Sequence, residues 1–282
     1  DVYLEFAYVD YQATKNFGIR GGMLLVPMGL VNEFHEPTVF LGTERPFTEN
    51  KIIPSTWHEN GAGIYGAFDK VSFRLYTVNG FKGEKFSSGG LRGGRQKGYK
   101  AKADSMAVTG RLDVTPTPGV FLGASFYTGG ANFAMDTEDL GLTIVDVHGQ
   151  VQVRGFDVRG LYATASLDAA GKFNEKQGLT GSKGLAEKME GGYVLFGYNV
   201  LSQTSDIGGP AFTPYIKFER VDTQAKMPSG YSRSLSTLNN FRTIGFEFKP
   251  MPNVVVKVDR MWVTNDAKSG LDQFNINLGY GF

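Results

Sequence analysis

The sequence predicts an all-β protein, a transmembrane antiparallel β-barrel, and three observations carry that prediction. Apolar residues recur with period 2 along most of the 282 residues. The segments that connect these stretches alternate between short and long. Charges keep to one face of the alternating stretches. No run approaches the ~20 apolar residues that a membrane helix needs. A mean hydropathy of −0.20 is therefore no argument against a membrane location, because barrel strands place their apolar signal in every second residue.

The alternation is clearest in "TIVDVHGQVQVR", where Val145, Val147, Val151 and Val153 alternate with Asp146, His148, Gln150, Gln152 and Arg154. "VVVKVDRMW" repeats it, with Val254, Val256, Val258 and Trp262 on one face and Lys257 and Asp259 on the other. Strands are expected near 2–9, 17–27, 59–68, 71–79, 105–115, 119–128, 143–154, 157–167, 192–201, 213–223, 240–249, 254–264 and 273–281. A soluble sandwich would also alternate, so the connectors decide. Short ones fall at Asp69-Lys70, "PTPG" (116–119), Gly155-Phe156 and "PMPN" (250–253). Long ones span 28–58, 80–104, 129–142, 168–191 and 224–239. Tight turns at one end and long extracellular loops at the other are what membrane barrels show. The connector at 202–212 departs from the rule, and 172–189 has room for a short loop helix. The whole of 1–282 reads as one barrel domain.

Thirteen strands make an odd count. Bacterial barrels prefer even numbers, so one or three N-terminal strands are expected upstream of Asp1. Three would give 16 strands, the preferred count, and one would give 14. The chain has no cysteine, which fits an envelope protein without disulfides and a cytosolic one equally. A net charge of +1 argues against nucleic acid as a partner.

The face opposite the apolar one carries Arg20, Arg74, Arg111, Arg154, Arg159, Lys217, Lys249 and Lys257. Asp113, Asp146, Asp157, Glu219, Glu247 and Asp259 stand against them. A lipid-facing Arg or Lys would cost about 2–4 kcal/mol at the bilayer midplane, so the charged face is the wet one. The five arginines are candidates for a ladder that guides anions, or simply for the polar lining that any wet lumen needs. Arg220 and Arg260 break the alternation and are expected at a rim or a subunit contact.

The segment 82–104 carries seven basic residues against two acidic ones. Arg92, Arg95, Lys97 and Lys100 lie among Gly89, Gly90, Gly93, Gly94 and Gly98, so the backbone could approach an oxyanion while the arginines offer bidentate donors. The alternative is a basic external loop that faces water or binds lipopolysaccharide. Three histidines and no G-x-S-x-G leave little for catalysis, and neither His35-Glu36 nor His58-Glu59 has zinc-ligand spacing. The chain is read as a non-enzyme, without cofactor or metal.

The stretch "PMGLVNEFHEPTVFLGTERPFTENKIIPSTWHENGAGIYGAF" (27–68), with "LRGGRQKG", "AVTGRLDVTP" and "DQFNINLGYGF", resembles the phosphate-selective porin O/P-like family. The resemblance covers most of the chain and lacks the family's N-terminal portion. It implies a 16-stranded, usually trimeric porin in the outer membrane of a Gram-negative bacterium. Small hydrophilic solutes and ions would cross it by passive diffusion. The resemblance does not by itself imply phosphate, and a phosphate-like anion preference is expected from the basic candidates named above. It further implies that 28–58 is a third loop folded into the lumen, where Glu33, His35, Glu36, Glu44, Arg45, Glu49 and Lys51 would set the constriction. Phe40, Leu41, Ile52, Ile53 and Trp57 could pin this loop to the wall. The alternatives are a loop that merely plugs the barrel, or a plugged scaffold for a partner without conductance. "FNINLGYGF" reads as the closing strand, and Phe274, Tyr280 and Phe282 resemble the signal recognised by the outer-membrane assembly machinery. The expected partners are thus that machinery, the lipid bilayer, lipopolysaccharide, the permeating solutes and two further copies of the chain.

Overall fold

The computed structural model describes residues 4–134, 139–204 and 208–281. Thirteen strands form one antiparallel meander in which every strand pairs with its neighbours in sequence. They are β1 (Ala7–Thr14), β2 (Phe17–Leu25), β3 (His58–Phe68), β4 (Val71–Asn79), β5 (Met106–Thr117), β6 (Val120–Ala134) and β7 (Asp139–Val153). β8 (Phe156–Leu167), β9 (Lys188–Tyr198), β10 (Ala211–Lys226), β11 (Leu238–Met251), β12 (Val254–Thr264) and β13 (Gln273–Tyr280) complete the sheet. Among the described residues, β1 pairs only with β2 and β13 only with β12.

Short turns close one end as the sequence predicts, and the connector between β9 (ending at Tyr198) and β10 (starting at Ala211) is the exception. At Arg154-Gly155 both residues have positive φ, 51° and 88°. That is the primed geometry whose twist matches paired strands. Several expected bounds shift, among them the strand expected at 192–201, which runs Lys188–Tyr198. The first strand is expected at 2–9, but the ladder runs from Ala7↔Met23 to Thr14↔Phe17, because "YVDYQAT" continues the alternation up to the Lys15-Asn16 turn. Most of the expected loop 129–142 is strand, since the β6–β7 ladder continues through Gly130↔Gly141 to Ala134↔Asp139, and glycines there had hidden the alternation. The part of that loop at 135–138 lies outside the described residues, as does Phe282.

The other end carries long connectors, at 26–57, 80–105, 168–187 and 227–237. They hold two helices, α1 (Thr48–Lys51) and α2 (Ala170–Lys176), the second where a short loop helix is expected. No helix among the described residues is long and apolar enough to cross a membrane.

The sheet is inside-out relative to a soluble domain. Large apolar side chains on its outward face are bare, with Leu122, Val147 and Ile244 more than half exposed and Leu278 at 75 %. Charged side chains on the inward face are buried, among them Asp146, Lys217, Glu219 and Lys257. Apolar inward residues near the long-connector end form a core with the connectors. There Trp57 lies 4.7 Å from the Phe81 ring and 4.8 Å from the Tyr127 ring.

Candidate functional site

The 26–57 segment lies against the inward face of the sheet, held by side chains from widely separated strands. Arg111 of β5 donates to the Gly29 carbonyl, and Asp146 of β7 accepts the Gly29 N–H at 3.2 Å. Arg159 of β8 donates to Val39 O at 3.0 Å. Glu219 of β10 accepts the Thr48 N–H at 2.6 Å and the Thr48 hydroxyl at 2.9 Å. Lys249 of β11 donates to Thr38 O at 2.6 Å. On β12, Lys257 donates to Phe40 O and Gly42 O, and Asp259 accepts the Thr43 hydroxyl at 2.6 Å. At Gly279 of β13 a side chain would collide with the Pro37 ring, so glycine in the closing strand admits the loop. His35 pairs with Glu5, just ahead of β1, at 2.9 Å. The wall therefore wraps around the segment from before β1 to β13.

The base of the segment is tied by a residue the sequence reading missed. Asn32 donates to Val26 O at 2.7 Å and Trp57 O at 2.9 Å, and accepts the Trp57 N–H at 2.7 Å. One amide thus joins both ends of the loop. No periodicity marks such a residue, and nothing in the sequence points to it.

The seven expected constriction residues separate into different environments. Glu33 faces the wall, 3.2 Å from Arg74 and 3.6 Å from Arg111. Glu36 and Glu44 are exposed, and Lys51 is half-buried. Arg45 is half-buried, reaching His35 O at 3.5 Å. Burial lowers its pKa, with nearby glutamates opposing. Glu49 is fully buried behind the loop, accepting the Tyr193 hydroxyl at 2.6 Å and the Val31 N–H at 2.8 Å. Burial outweighs those bonds and raises its pKa to about 7. Glu49 therefore faces no passage and anchors the loop.

The basic candidates also divide. Arg92 and Arg95 converge on the turn at 54–56. Arg92 donates to Ser55 O at 2.5 Å, and Arg95 to Ser55 O at 2.7 Å and Thr56 O at 2.8 Å. Thr56 has φ 59°, unusual for a β-branched residue, and these donors hold it there. Burial, then the neighbouring Arg92 charge, lowers the Arg95 pKa to about 10. Lys97 and Lys100 are exposed, with the Lys100 ammonium 5.1 Å from the Tyr99 ring centroid.

On the strands, Arg20 is stacked between Tyr8 and Tyr65, at 4.4 and 4.7 Å from their ring centroids, and pairs with Asp10 at 2.6 Å. Arg74 and Arg111 are direct cross-strand neighbours, and Asp113 pairs with both, at 3.1 and 2.8 Å. Arg20, Arg74 and Glu33 line a cavity of 230 Å³ with Tyr65 and Tyr76. Arg154 and Arg159 line a second one of 460 Å³ at the short-turn end, with Asp157, Glu247 and Lys249. Both are polar cavities on the inward face, suited to hydrated ions rather than apolar ligands.

Ser125, Asp146 and His148 meet, but the wiring is not that of a nucleophile. The Ser125 hydroxyl donates to Asp146, which also holds His148 Nδ1 at 2.6 Å, and the His148 side chain is wholly buried. On the closing strand, Phe274 and Tyr280 point outward and are exposed.

No family model matches the sequence. An uncharacterized protein of Aquifex aeolicus is 39% identical over 279 residues, covering 95% of this chain, and the chain spans 63% of that relative's length. Solved structures resemble the fold at much lower identity. OmpF of Salmonella typhi, in complex with daunomycin, superposes with a TM-score of 0.60 at 13% identity, over 94% of this chain and 74% of its own. A loop-deletion mutant of OmpT, an outer membrane protein of Vibrio cholerae, gives 0.58 at 12% identity, over 99% and 80%. An anion-selective porin from Comamonas acidovorans gives 0.50 at 10%, over 97% and 75%. The fold is that of the outer-membrane porin barrels.

Proposed function

We propose that this chain is the main part of a porin in the outer membrane of a Gram-negative bacterium, passing small hydrophilic solutes and ions by diffusion. The observation that carries this reading is the 26–57 segment bound along the inward face by side chains of β5, β7, β8 and β10–β12. A segment fixed in this way narrows a water-filled lumen without closing it by chance motion. Charges at a constriction act strongly because low-dielectric walls concentrate the field. Arg20, Arg74 and Arg111 are balanced on the wall by Asp10, Glu33 and Asp113, whereas in the 460 Å³ cavity Arg154, Arg159 and Lys249 outnumber Asp157 and Glu247, which supports a preference for anions. Phosphate is one such anion, and the resemblance to the phosphate-selective family favours it. A homotrimer is proposed with it, by the same resemblance.

Single-channel conductance in planar bilayers tests the reading. Steps of stable conductance are expected, with a reversal potential in a KCl gradient that reports anion preference. A stably inserted but silent protein would overturn it. The plugged-scaffold reading would then gain, and one observation favours it already: the apolar core around Trp57, Phe81 and Tyr127 fills the long-connector end of the interior.

A further inference from the structure

The outward face is uncharged over much of its extent. On β4, β5 and β8, and on β7 from Thr143 to Val153, no outward-facing side chain carries a charge. On β10–β12, towards the long-connector end, three exposed arginines break that rule: Arg220, Arg242 and Arg260. Arg260 has a partner in Asp272 at 3.5 Å and lies over the Trp262 ring at 5.8 Å. Arg220 and Arg242 have neither a hydrogen bond nor an ion pair among the described residues. Glu190, the carboxylate that feels the Arg220 charge, is already held by Lys188 at 2.8 Å and by the Tyr162 hydroxyl at 3.3 Å.

The two guanidiniums share a groove. Arg220 lies between Gly192 and Asn240 in the ladder, and Arg242 lies beside Phe218. They are therefore diagonal neighbours on adjacent strands, at ~7–8 Å between Cα atoms, close enough for two long side chains to converge on one anion. Gly192 contributes no side chain, which opens a hollow of 540 Å³ whose floor is Val194 and Phe218. A charge on a lipid-facing wall is unfavourable unless it is compensated, the more so the nearer it lies to the midplane. Two unpaired cations above an apolar floor match an amphiphile whose anionic head sits above its chains. A free anion would leave the floor uncovered.

We propose that this groove binds the phosphate of a membrane glycolipid of the lipid A type, with Arg220 and Arg242 as its paired donors and an acyl chain against Val194 and Phe218. The proposal rests on the reading that this wall faces lipid in an outer membrane. It does not rest on conductance.

The test is native mass spectrometry of the protein in neutral detergent, titrated with diphosphorylated lipid A, with its dephosphorylated form and with inorganic phosphate as competitor. The wild type should retain lipid A. R220Q and R242Q should each weaken retention by roughly tenfold, since a charge-assisted bond is lost each time. The R220K/R242K double variant should retain an intermediate affinity, and all variants should keep the strand signal in circular dichroism. Equal retention by R220Q/R242Q and wild type would overturn the proposal. So would equal binding of the dephosphorylated lipid, or displacement by inorganic phosphate at comparable concentration. A change of subunit stoichiometry with lipid retention unaltered would assign the groove to a subunit contact instead. Conductance recorded from the same samples separates the two readings. A silent wild type that retains lipid A sinks the channel and leaves this site, whereas a conducting wild type that ignores lipid A does the reverse.

Discussion

Two groups of arginines divide this molecule. Arg92, Arg95 and Arg111 lie inside, with their guanidiniums spent on backbone carbonyls and on Asp113. Arg220 and Arg242 lie outside, exposed and without a bond among the described residues. Residue type is the same and the physical role is opposite. Inside, an arginine replaces the missing water of the loop carbonyls, and its fork geometry joins several acceptors at once. Outside, it stands in a face otherwise uncharged over four strands, where its own charge needs a partner. On the strands themselves, parity decides which way an arginine faces, Arg111 towards the interior and Arg220 and Arg242 towards the exterior.

The largest contrast should come from truncation. Arg111→Ala removes one of the two arginines on buried Asp113, which keeps Arg74, and the donor to the Gly29 carbonyl. It should lower stability to urea in lipid vesicles by about 2–3 kcal/mol, the loss of a charge-assisted bond together with a buried carbonyl left without its donor. Arg242→Ala, measured in the same way, should stay within about 0.5 kcal/mol. Comparable losses at the two positions would erase the distinction.

Next in size is the double change Arg92→Ala with Arg95→Ala. It leaves the carbonyls at 54–56 without donors, at about 1–3 kcal/mol for each buried group. Proteolysis of the 26–57 segment should accelerate, while the reversal potential in a KCl gradient should move less than in Arg20→Gln with Arg74→Gln, whose side chains line the 230 Å³ cavity. If the reversal potential instead moved more, Arg92 and Arg95 would be the anion site and not the latch.

A third measurement uses pH. The folded pKa of Glu49 lies near 7, above the ordinary carboxylate value of 4.5. Because the folded state holds this proton more tightly, the stability it contributes is full below about pH 4.5 and is lost as pH rises through 7. The loop should therefore become more protease-sensitive between pH 5 and 8. Glu49→Gln, which mimics the protonated acid towards Tyr193 and Val31, should flatten that dependence. A variant as pH-sensitive as the wild type would reassign the titration to another group.

Most of the wall was legible in the sequence because lipid and water impose opposite demands on successive residues. The β12 strand is a case in point, expected at 254–264 and found there. Glycine hid what alternation showed elsewhere, so the upper parts of β6 and β7 read as loop. The loop interior was far less legible. Its charges stood out by type, but nothing local tells that Glu33 meets Arg74 while Glu49 turns away to Tyr193, a residue 144 positions on. Asn32 escaped notice for the same reason. Arg220 and Arg260 could be seen as violations of the pattern, although only the pairing register reveals that Arg220 shares its groove with Arg242.

The ties of the 26–57 segment carry a consequence for the order in which this molecule forms. Lys257 grips Phe40 across 217 residues, and Asp259 grips Thr43 across 216. Contacts so distant in sequence are closed at a high entropic cost and belong to the slow end of folding. Asn32 needs no such wait, since it joins Val26 and Trp57 within its own hairpin. The loop can therefore take its own shape early, as a knotted-off local unit, and be enclosed only when β12 arrives. On that schedule the strand that reads "VVVKVDRMWVT" is the latch on the timing of assembly, and until it is laid down the segment has a shape but no home.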